Sequence, residues 1–600
     1  MIVKMKQITL LCQTRDKEST LEELRDIGVL HLVPVQEPQG DDVNDVRQEL
    51  ERAKAASSAL DLYAHEHHGL QHSHDHEAVS AAETVEKVSQ LLQHGKELED
   101  HREVLHHDIS LLEPFGDFDP GLLHSLAEKG IYVRLFSASP KHPIEVPDDA
   151  SVHILTSDTE GIHFAVTATS EFEMDAHEPP LPEKSLGVLL EDLENVKREL
   201  QAVESQLCDL SSEYKAVTGY EHELEERQAF VKARGGMGHD RAISYLQGFC
   251  PEDRVDDLRT VLDRHGWGLV VEEPLDASAV PTLVRYPRFV KPIKAIFDVL
   301  QILPGYHEAD ISSLFLIFFS IFFAILIGDA GYGLLFLGLT AFMRKKKPDA
   351  PSYPFTLFYI LSTCTIMWGV LTNNYFGIKP EFLPEVLRNL RMPWLTDGVI
   401  ESRNHIMKLS FFIGACHLTI AHIWNSIVIY PNKKWIAQFG WITLVWTMYF
   451  AACAMVVGDP FPGFAYAMLA VSVLLILLFM SSSEEFKQEK IEHIMFPLAL
   501  VSCFVDVISY IRLFAVGMAS LSVAQSFNDM AMRLDFSKVW TIPFIALILA
   551  AGHGLNILLC VLGILVHGVR LNTLEFSTHK EQEWSGRKYN PFKRSETTNT

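Results

Sequence analysis

Arg512 lies in the stretch VISYIRLFAVGMAS, near the middle of an apolar run too deep for the side chain to reach either membrane surface easily. An ionisable group in hydrocarbon costs several kcal/mol unless it faces a cavity or a partner, so such a residue is a functional candidate by default. Helical spacing puts Asp506 and Ser509 on roughly the face of Arg512, and Ser520, Gln525 and Asn528 carry polar character toward the far end of the segment. Further on, His553, Asn556, Cys560, Gly563, His567 and Arg570 recur at alternating intervals of three and four along a Leu/Ile/Val helix. That stripe rises roughly 26 Å. Asn556, Cys560 and Gly563 suit helix–helix packing equally well; two histidines and an arginine favour a wet path.

A guanidinium stays protonated at any cellular pH, and its field favours the charged form of a nearby carboxyl. A carboxylate carried past Arg512 would release its proton or cation on one side and reload on the other. The chain has no repeated carboxylate-bearing helices that would make such a carrier, so the carrier belongs to another subunit. Asp329, in GDAGYG (328–333), is read as either a helix cap or polar lining of a path. No GxxxxGK[ST] phosphate loop, HExxH or paired CxxC occurs, so neither nucleotide nor zinc chemistry is expected, and no metal or cofactor is assigned. The stretch HEHHGLQHSHDHE (65–77) is read as a solvated loop, because no scaffold holds its rings in coordination geometry. The eight cysteines show no disulfide spacing.

The elements that would position these residues differ sharply between the two halves. Residues 1–300 hold 29 Lys+Arg against 57 Asp+Glu, and residues 301–600 hold 22 against 20. An acidic first half repels polyphosphate, so nucleic acid is excluded as a partner and protein partners are expected. Residues 1–36 and 242–272 each read as strand, helix, strand, giving one α/β lobe (1–40 with 240–300). Leu186, Leu189, Leu193, Val196, Leu200, Val203, Leu207, Leu210, Tyr214 and Val217 follow an a/d seam, which Val46, Leu50, Ala53, Ser57 and Leu60 repeat upstream. An antiparallel coiled-coil hairpin (41–110 and 182–235) with a distal lobe (111–181) follows. The N-terminal run is too short for a signal peptide, so this arm is expected in the cytoplasm.

Counting about 20 apolar residues per crossing, membrane segments fall near 311–328, 330–343, 354–375, 405–430, 435–457, 464–482, 492–530 and 541–574. Eight spans keep Arg344–Lys347, Lys433, Lys434, Lys487, Lys490 and the basic tail on one side, as the positive-inside rule asks, with both termini cytoplasmic. The fold class is therefore mainly α: a polytopic eight-helix membrane domain (311–575) and a tail (576–600), carried on an arm of two small α/β lobes joined by a coiled-coil hairpin.

Five blocks, KQITLLCQTRDKESTLEELRDIGVLHL, YPRFVKPIKAIFDVLQILPGYHEAD, GDAGYGLL, SYIRLFAVGMAS and HGVRLNTLEF, resemble in order those of subunit I, or subunit a, of the V-type and archaeal-type rotary ATPases. The resemblance runs end to end. It implies a membrane stator subunit, without nucleotide chemistry of its own, whose last two tilted helices face a proteolipid rotor ring of c/K subunits. It also implies peripheral stalks of the E and G type, a central-stalk socket of the C/d type, and a multi-pass place in the cell membrane. Arg512 matches the essential arginine and Arg570 the second arginine, with His567 at a polar family position. Asp506, Ser509, Ser520, Gln525, Asn528, His553, Asn556, His567, Glu575 and Asp329 would then line half-channels. Cys560 and Ser520 depart from eukaryotic relatives, where a glutamate and a histidine are expected, so those relatives' half-channel details do not carry over. A stand-alone secondary transporter would call for inverted repeats, and no second copy of the 492–575 pattern is present. A non-transporting scaffold would leave the arginines without a role.

Overall fold

The computed structural model describes residues 1–66, 80–138, 150–157, 161–174, 176–396, 399–480, 490–535 and 538–594. Most of the histidine-rich stretch, from His67 on, lies outside the described residues, as does Lys487. The chain divides into two compact units, residues 9–248, 257–270 and 591–600 forming one and residues 1–8, 249–256 and 271–590 the other. The division runs through the strands Met5–Gln13 and Ile243–Pro251, and it assigns residues 271–300 to the unit that holds the apolar helices rather than to the arm.

In the first unit, the sheet order is His31–Val33, Ile243–Pro251, Met5–Gln13, Gly268–Glu272, with Gly238–Asp240 antiparallel to Ile243–Pro251. Helix Lys17–Ile27 buries Leu21 and Leu24 and stops at Gly28, whose φ of 63° closes a left-handed cap with its N–H on Leu24 O. Only glycine takes that conformation without strain. Helix Asp41–Glu66 packs on Tyr214–Gly236, and Ala81–Leu112 packs on Leu186–Leu210. Both pairs are antiparallel: Arg234 meets Asp42 while Tyr220 meets Glu49, and Gly95 faces Val203 while Asp117 faces Gly187. Leu50, Ala53, Leu60, Leu189, Leu193, Val196, Val203, Leu207 and Val217 are buried in one apolar seam. Each buried leucine or valine there contributes about 1.5–3 kcal/mol. Burial and the neighbouring Glu49 carboxylate push the Tyr220 hydroxyl up to about 12. A three-stranded antiparallel sheet, Tyr132–Ala138, Ile162–Ala168, Ala150–Ser157, closes over Phe136, Phe164 and Val166.

Among the described residues of the second unit, five helices are long and apolar enough to cross a bilayer: Ser352–Leu371, Ile400–Ile429, Trp435–Val457, Ile494–Met532 and Ile542–Lys580. That is fewer than the eight expected from the sequence. The segments near 311–328, 330–343 and 464–482 fold as helices Ser312–Ile327, Ala330–Lys346 and Gly463–Phe479, of 16, 17 and 17 residues. Gly328, left-handed at φ 66°, and Asp329 cut the first two apart, and Arg344–Lys346 end the second in charge. These two helices pack on Ser352–Leu371 rather than folding along each other as a hairpin. The last helix also runs past the expected boundary at 575, because Phe576, Ser577, His579 and Lys580 are buried.

Gly369 is where Ser352–Leu371 meets the Asp329 break: a Cβ there would stand 2.1 Å from Ala330 N. Gly369→Ala is expected to lower stability by about 1–3 kcal/mol, read as a fall in Tm of the purified protein in detergent. Gly338→Ala, where a Cβ meets nothing within 4 Å, serves as the control and leaves Tm in place.

Candidate functional site

The two longest apolar helices, Ile494–Met532 and Ile542–Lys580, have 39 residues each. At 1.5 Å per residue each extends about 58 Å, nearly twice the ~30 Å hydrocarbon core, so each is long enough to cross it at a steep tilt. They run antiparallel in steady register. Gly552 lets Phe527 in, His553 meets Asn528, Cys560 meets Ser520, Gly563 faces Val516, and His579 meets Asp506.

The polar stripe on the last helix largely lies on this packing seam. Asn556 Nδ2 donates to Tyr332 Oη at 3.0 Å and to Ser520 O at 3.1 Å, and Cys560 Sγ lies 3.2 Å from Ser520 Oγ. His553 Nδ1 is 2.7 Å from Tyr332 Oη and its Nε2 is 3.1 Å from Asn528 Oδ1, while Asn528 Nδ2 donates to Phe376 O at 2.7 Å. Ser520, Asn528, His553 and Asn556 thus form one network around Tyr332. The sequence reading missed Tyr332, because within GDAGYG only Asp329 was weighed for a role in the path.

Nearer the C-terminal end, Glu575 is 5% exposed; its Oε1 accepts from Arg512 Nη2 and forms an ion pair with Arg570, whose Nε is 3.4 Å away. Arg512 Nε also donates to Ser509 O at 2.9 Å. Glu575 Oε2 is buried without a partner among the described residues, as is His567 Nδ1. Two guanidinium groups on one carboxylate leave the cluster with a net positive charge. The helix carrying it is π-helical over Ile564–Gly568 and Leu571–Glu575, on either side of Arg570. Such wide turns occur mostly at functional sites.

Asp329 sits apart from this cluster. Its Oδ1 accepts from the backbone N–H groups of Gly331, Tyr332 and Phe376 at 2.7, 3.2 and 2.8 Å, and its Oδ2 from Gly377 at 3.0 Å. With four donors and 1% exposure, it caps Ala330–Lys346 and ties that cap to the 374–377 turn. Gln525 lines a cavity of about 430 Å³ with Asn373, Asn374, Arg391 and Arg403, and the wall also includes Leu513 and Gly517, one and five residues beyond Arg512. Asn373 Oδ1 and Asn374 Oδ1 are buried there without partners among the described residues.

The face of Ile511–Met532 that the rest of the unit does not cover is small and smooth. Ala515, Ala519, Ser522 and Ser526 are exposed at intervals of three and four, in line with Arg512. Ser522 Oγ and Ser526 Oγ donate back to Met518 O and Ser522 O at 2.8 Å each, so no hydroxyl projects unpaired. On the adjoining helix Leu555, Leu558, Leu559, Leu562, Leu565 and Val566 are exposed.

An antiparallel pair of long apolar helices with a charged centre, among several membrane-length helices, defines a multi-pass membrane protein. The chain is 29% identical over 626 residues to the V-type ATP synthase subunit I of Borreliella burgdorferi (strain ATCC 35210 / DSM 4680 / CIP 102532 / B31), covering 99% of this chain and 100% of that one. It is 28% identical over 633 residues to V-type ATP synthase subunit I 1 of Treponema pallidum (strain Nichols), with the same coverage. It is 27% identical over 459 residues to the A-type ATP synthase subunit I of Methanocaldococcus jannaschii (strain ATCC 43067 / DSM 2661 / JAL-1 / JCM 10045 / NBRC 100440), covering 68% of this chain and 64% of that one. A solved structure, the crystal structure of the cytoplasmic N-terminal domain of a subunit I homologous to subunit a of V-ATPase, matches 44% of this chain and 99% of its own at 17% identity and a TM-score of 0.22. No protein-family model matches the chain. The chain is a homologue of subunit I of the V- and A-type ATP synthases.

Asp329→Ala removes the acceptor for four backbone N–H groups and is expected to cost about 3 kcal/mol or more. Asp329→Asn, which turns one acceptor atom into a donor facing an N–H, should cost about 1–3 kcal/mol. Thermal unfolding of the detergent-solubilised chain ranks the two; equal Tm values for wild type and Asp329→Ala would show that the cap is not structural.

Proposed function

We propose that this chain is the membrane stator subunit of a rotary ATP synthase or ATPase, and that it forms the ion path against a rotor ring of proteolipid subunits. The observation that carries this reading is the pair of arginines held on one buried carboxylate, midway along a tilted apolar helix and in line with an exposed seam of small residues. A carboxyl group carried through lipid must be neutral, either protonated or ion-loaded. Beside a net positive centre its charged form is favoured, so it gives up the ion there. Glu575 does not cancel that field, because one carboxylate faces two guanidinium groups. An arriving carboxylate would take Arg512 from Glu575, and Glu575 would keep Arg570.

Small exposed side chains let a neighbouring helix approach closely. Ala515, Ala519, Ser522 and Ser526 would bring ring helices past Arg512 at short range, and their satisfied hydroxyls give a sliding partner nothing to catch on. The cavity holding Gln525, Asn373 and Asn374 reaches to within a turn of Arg512 and supplies polar access from one side. On this reading Arg512 and Arg570 gate the passage, and Asp506, Ser509, Ser520, Gln525, Asn528, His553, Asn556, His567, Glu575 and Asp329 hold or line the path. Asp329, Asn556, Ser520, His553 and Asn528 contribute chiefly by fixing the helix pair.

The acidic arm, residues 1–300, would bind peripheral stalks of the E and G type, and the membrane part would meet a C/d-type socket subunit. Ser312–Ile327, Ala330–Lys346 and Gly463–Phe479 would complete eight spans, their shortness matched by local thinning or burial among the longer helices. The loops bearing Arg344–Lys347 and Lys433/Lys434, with both termini, would face the cytoplasm. Nucleotide chemistry would reside on other subunits.

The test is ATP-driven ion uptake by the whole complex in liposomes. Arg512→Gln is expected to abolish uptake, a loss of at least about a hundredfold, while the complex assembles and its detergent-uncoupled ATP hydrolysis persists. Full uptake in that variant would remove the proposal.

A further inference from the structure

Beyond the arginine cluster, four side chains form one buried hydrogen-bonded line. Gln438 Oε1 is 2.7 Å from His422 Nδ1, His422 Nε2 is 2.9 Å from His579 Nδ1, and His579 Nε2 is 3.2 Å from Asp506 Oδ2. His422 is 4% and Gln438 7% exposed; at the far end the Asp506 side chain is 21% exposed. His422 lies parallel to the Trp441 ring at 6.0 Å, and Asn425 Nδ2 donates to the backbone oxygen of His579 at 2.9 Å, which fixes the main chain that carries the second imidazole.

The line joins two places that matter. Gln438 is three residues into the helix Trp435–Ala452, next to Lys433 and Lys434 at its start. At the other end, Asp506 lies six residues before Arg512, about 9 Å of helical rise. His579 lies one turn after Glu575, whose Oε2 is buried without a partner among the described residues. His417, bonded to Tyr510 Oη at 2.9 Å and stacked on Phe576, borders the line.

Counting protons along it gives two self-consistent arrangements. In one, which needs the Gln438 amide turned to bring Nε2 to the ring, Gln438 donates to His422 Nδ1, His422 Nε2–H donates to His579 Nδ1, and His579 Nε2–H donates to the Asp506 carboxylate. In the other every bond is reversed: His579 Nδ1–H donates to His422 Nε2 and His422 Nδ1–H to Gln438 Oε1. The bare His579 Nε2 then faces Asp506 across a distance that only a proton can bridge. The second arrangement holds one proton more than the first.

We propose that His422, His579 and Asp506 are a proton relay between the lysine-bearing membrane face and the Arg512 centre, and hence that protons, not sodium ions, pass on that side. The inference rests on the function proposed above. A proton arriving at His422 Nδ1 makes an imidazolium. The N–H bond at His422 Nε2 breaks as one forms at His579 Nδ1, and the bond at His579 Nε2 breaks as an O–H forms on Asp506 Oδ2. One proton enters and one is delivered, and turning of the rings and of the Gln438 amide resets the line. A sodium ion needs several oxygen ligands, and two imidazoles 2.9 Å apart offer it neither ligands nor room.

The test uses the intact complex in proteoliposomes, with acidification by ATP followed by a pH-sensitive dye. His579→Gln and His422→Gln keep hydrogen-bonding side chains but cannot carry a proton onward, and each is expected to cut acidification about tenfold or more. In His579→Ala, added imidazole is expected to restore part of the rate, which a purely structural tie would not allow. Wild-type acidification in either Gln variant overturns the relay, as does a defect in His579→Ala that imidazole leaves untouched with the complex intact. ATP-driven uptake of radioactive sodium by the wild-type complex would overturn it too. Arg512→Gln run alongside separates the two ideas: if it is inactive while His579→Gln pumps normally, the relay falls and the stator reading stands; if it pumps, the stator reading itself falls.

Discussion

A single buried carboxylate holding two arginines is the interaction on which the rest of the membrane unit depends. An unpaired guanidinium at this depth would cost several kcal/mol, and a fully paired one would have no field left to exert. Glu575 resolves the conflict by being outnumbered: it offsets the desolvation of its neighbours in part while the cluster stays positive. The helix pair must therefore keep three residues from two helices in register. Gly552, Gly563 and the Ser520–Asn556–Tyr332 network do so from the far side of the seam. Gly517, whose Cβ would stand 2.6 Å from Ile325 O, lets Ser312–Ile327 close on the same helix.

The polar groups in and beside this pair are nearly all buried, and what they touch separates them into two kinds. Asn556, Cys560 and Ser520 bond to one another, so their polarity serves packing. Gln525, Asn373 and Asn374 instead border open volume. A polar stripe read along one helix mixes both kinds.

That mixture decides what was legible in the sequence. Arg512 and Arg570 stand out because charge in an apolar run is rare, and Gly328–Gly331 reads correctly as a break because glycine beside aspartate cannot continue a helix cheaply. The seam Leu189–Val217 is legible because a strict a/d repeat arises from little besides one helix packing along another. Helix length was harder, since apolar composition does not say where a helix begins: three segments that read as spans fold with only 16 or 17 residues. Tyr332, His422, His579 and Gln438 were invisible for another reason. Each is ordinary for its local stretch, and its importance arises only when helices more than 150 residues apart in the chain bring Tyr332 to His553 and His422 to His579.

The distribution of charge across the unit also constrains how it can act. Two ionisable groups of the centre are set back, Glu575 at 5% and the Arg512 side chain at 21% exposed, while the Arg570 side chain is 53% exposed. The surface in line with Arg512 is alanine and internally satisfied serine. A partner sliding on such a surface meets no hydrogen-bonding group that would have to be broken at each step, so its motion is limited by lipid and packing rather than by desolvation. On the proposed reading, Arg512 then acts on it at short range, where Coulomb energy is larger in low dielectric than in water. On the proposed reading, a smooth face and a partly buried positive centre would be two halves of one requirement: to change the ionisation of a passing group and let it move on.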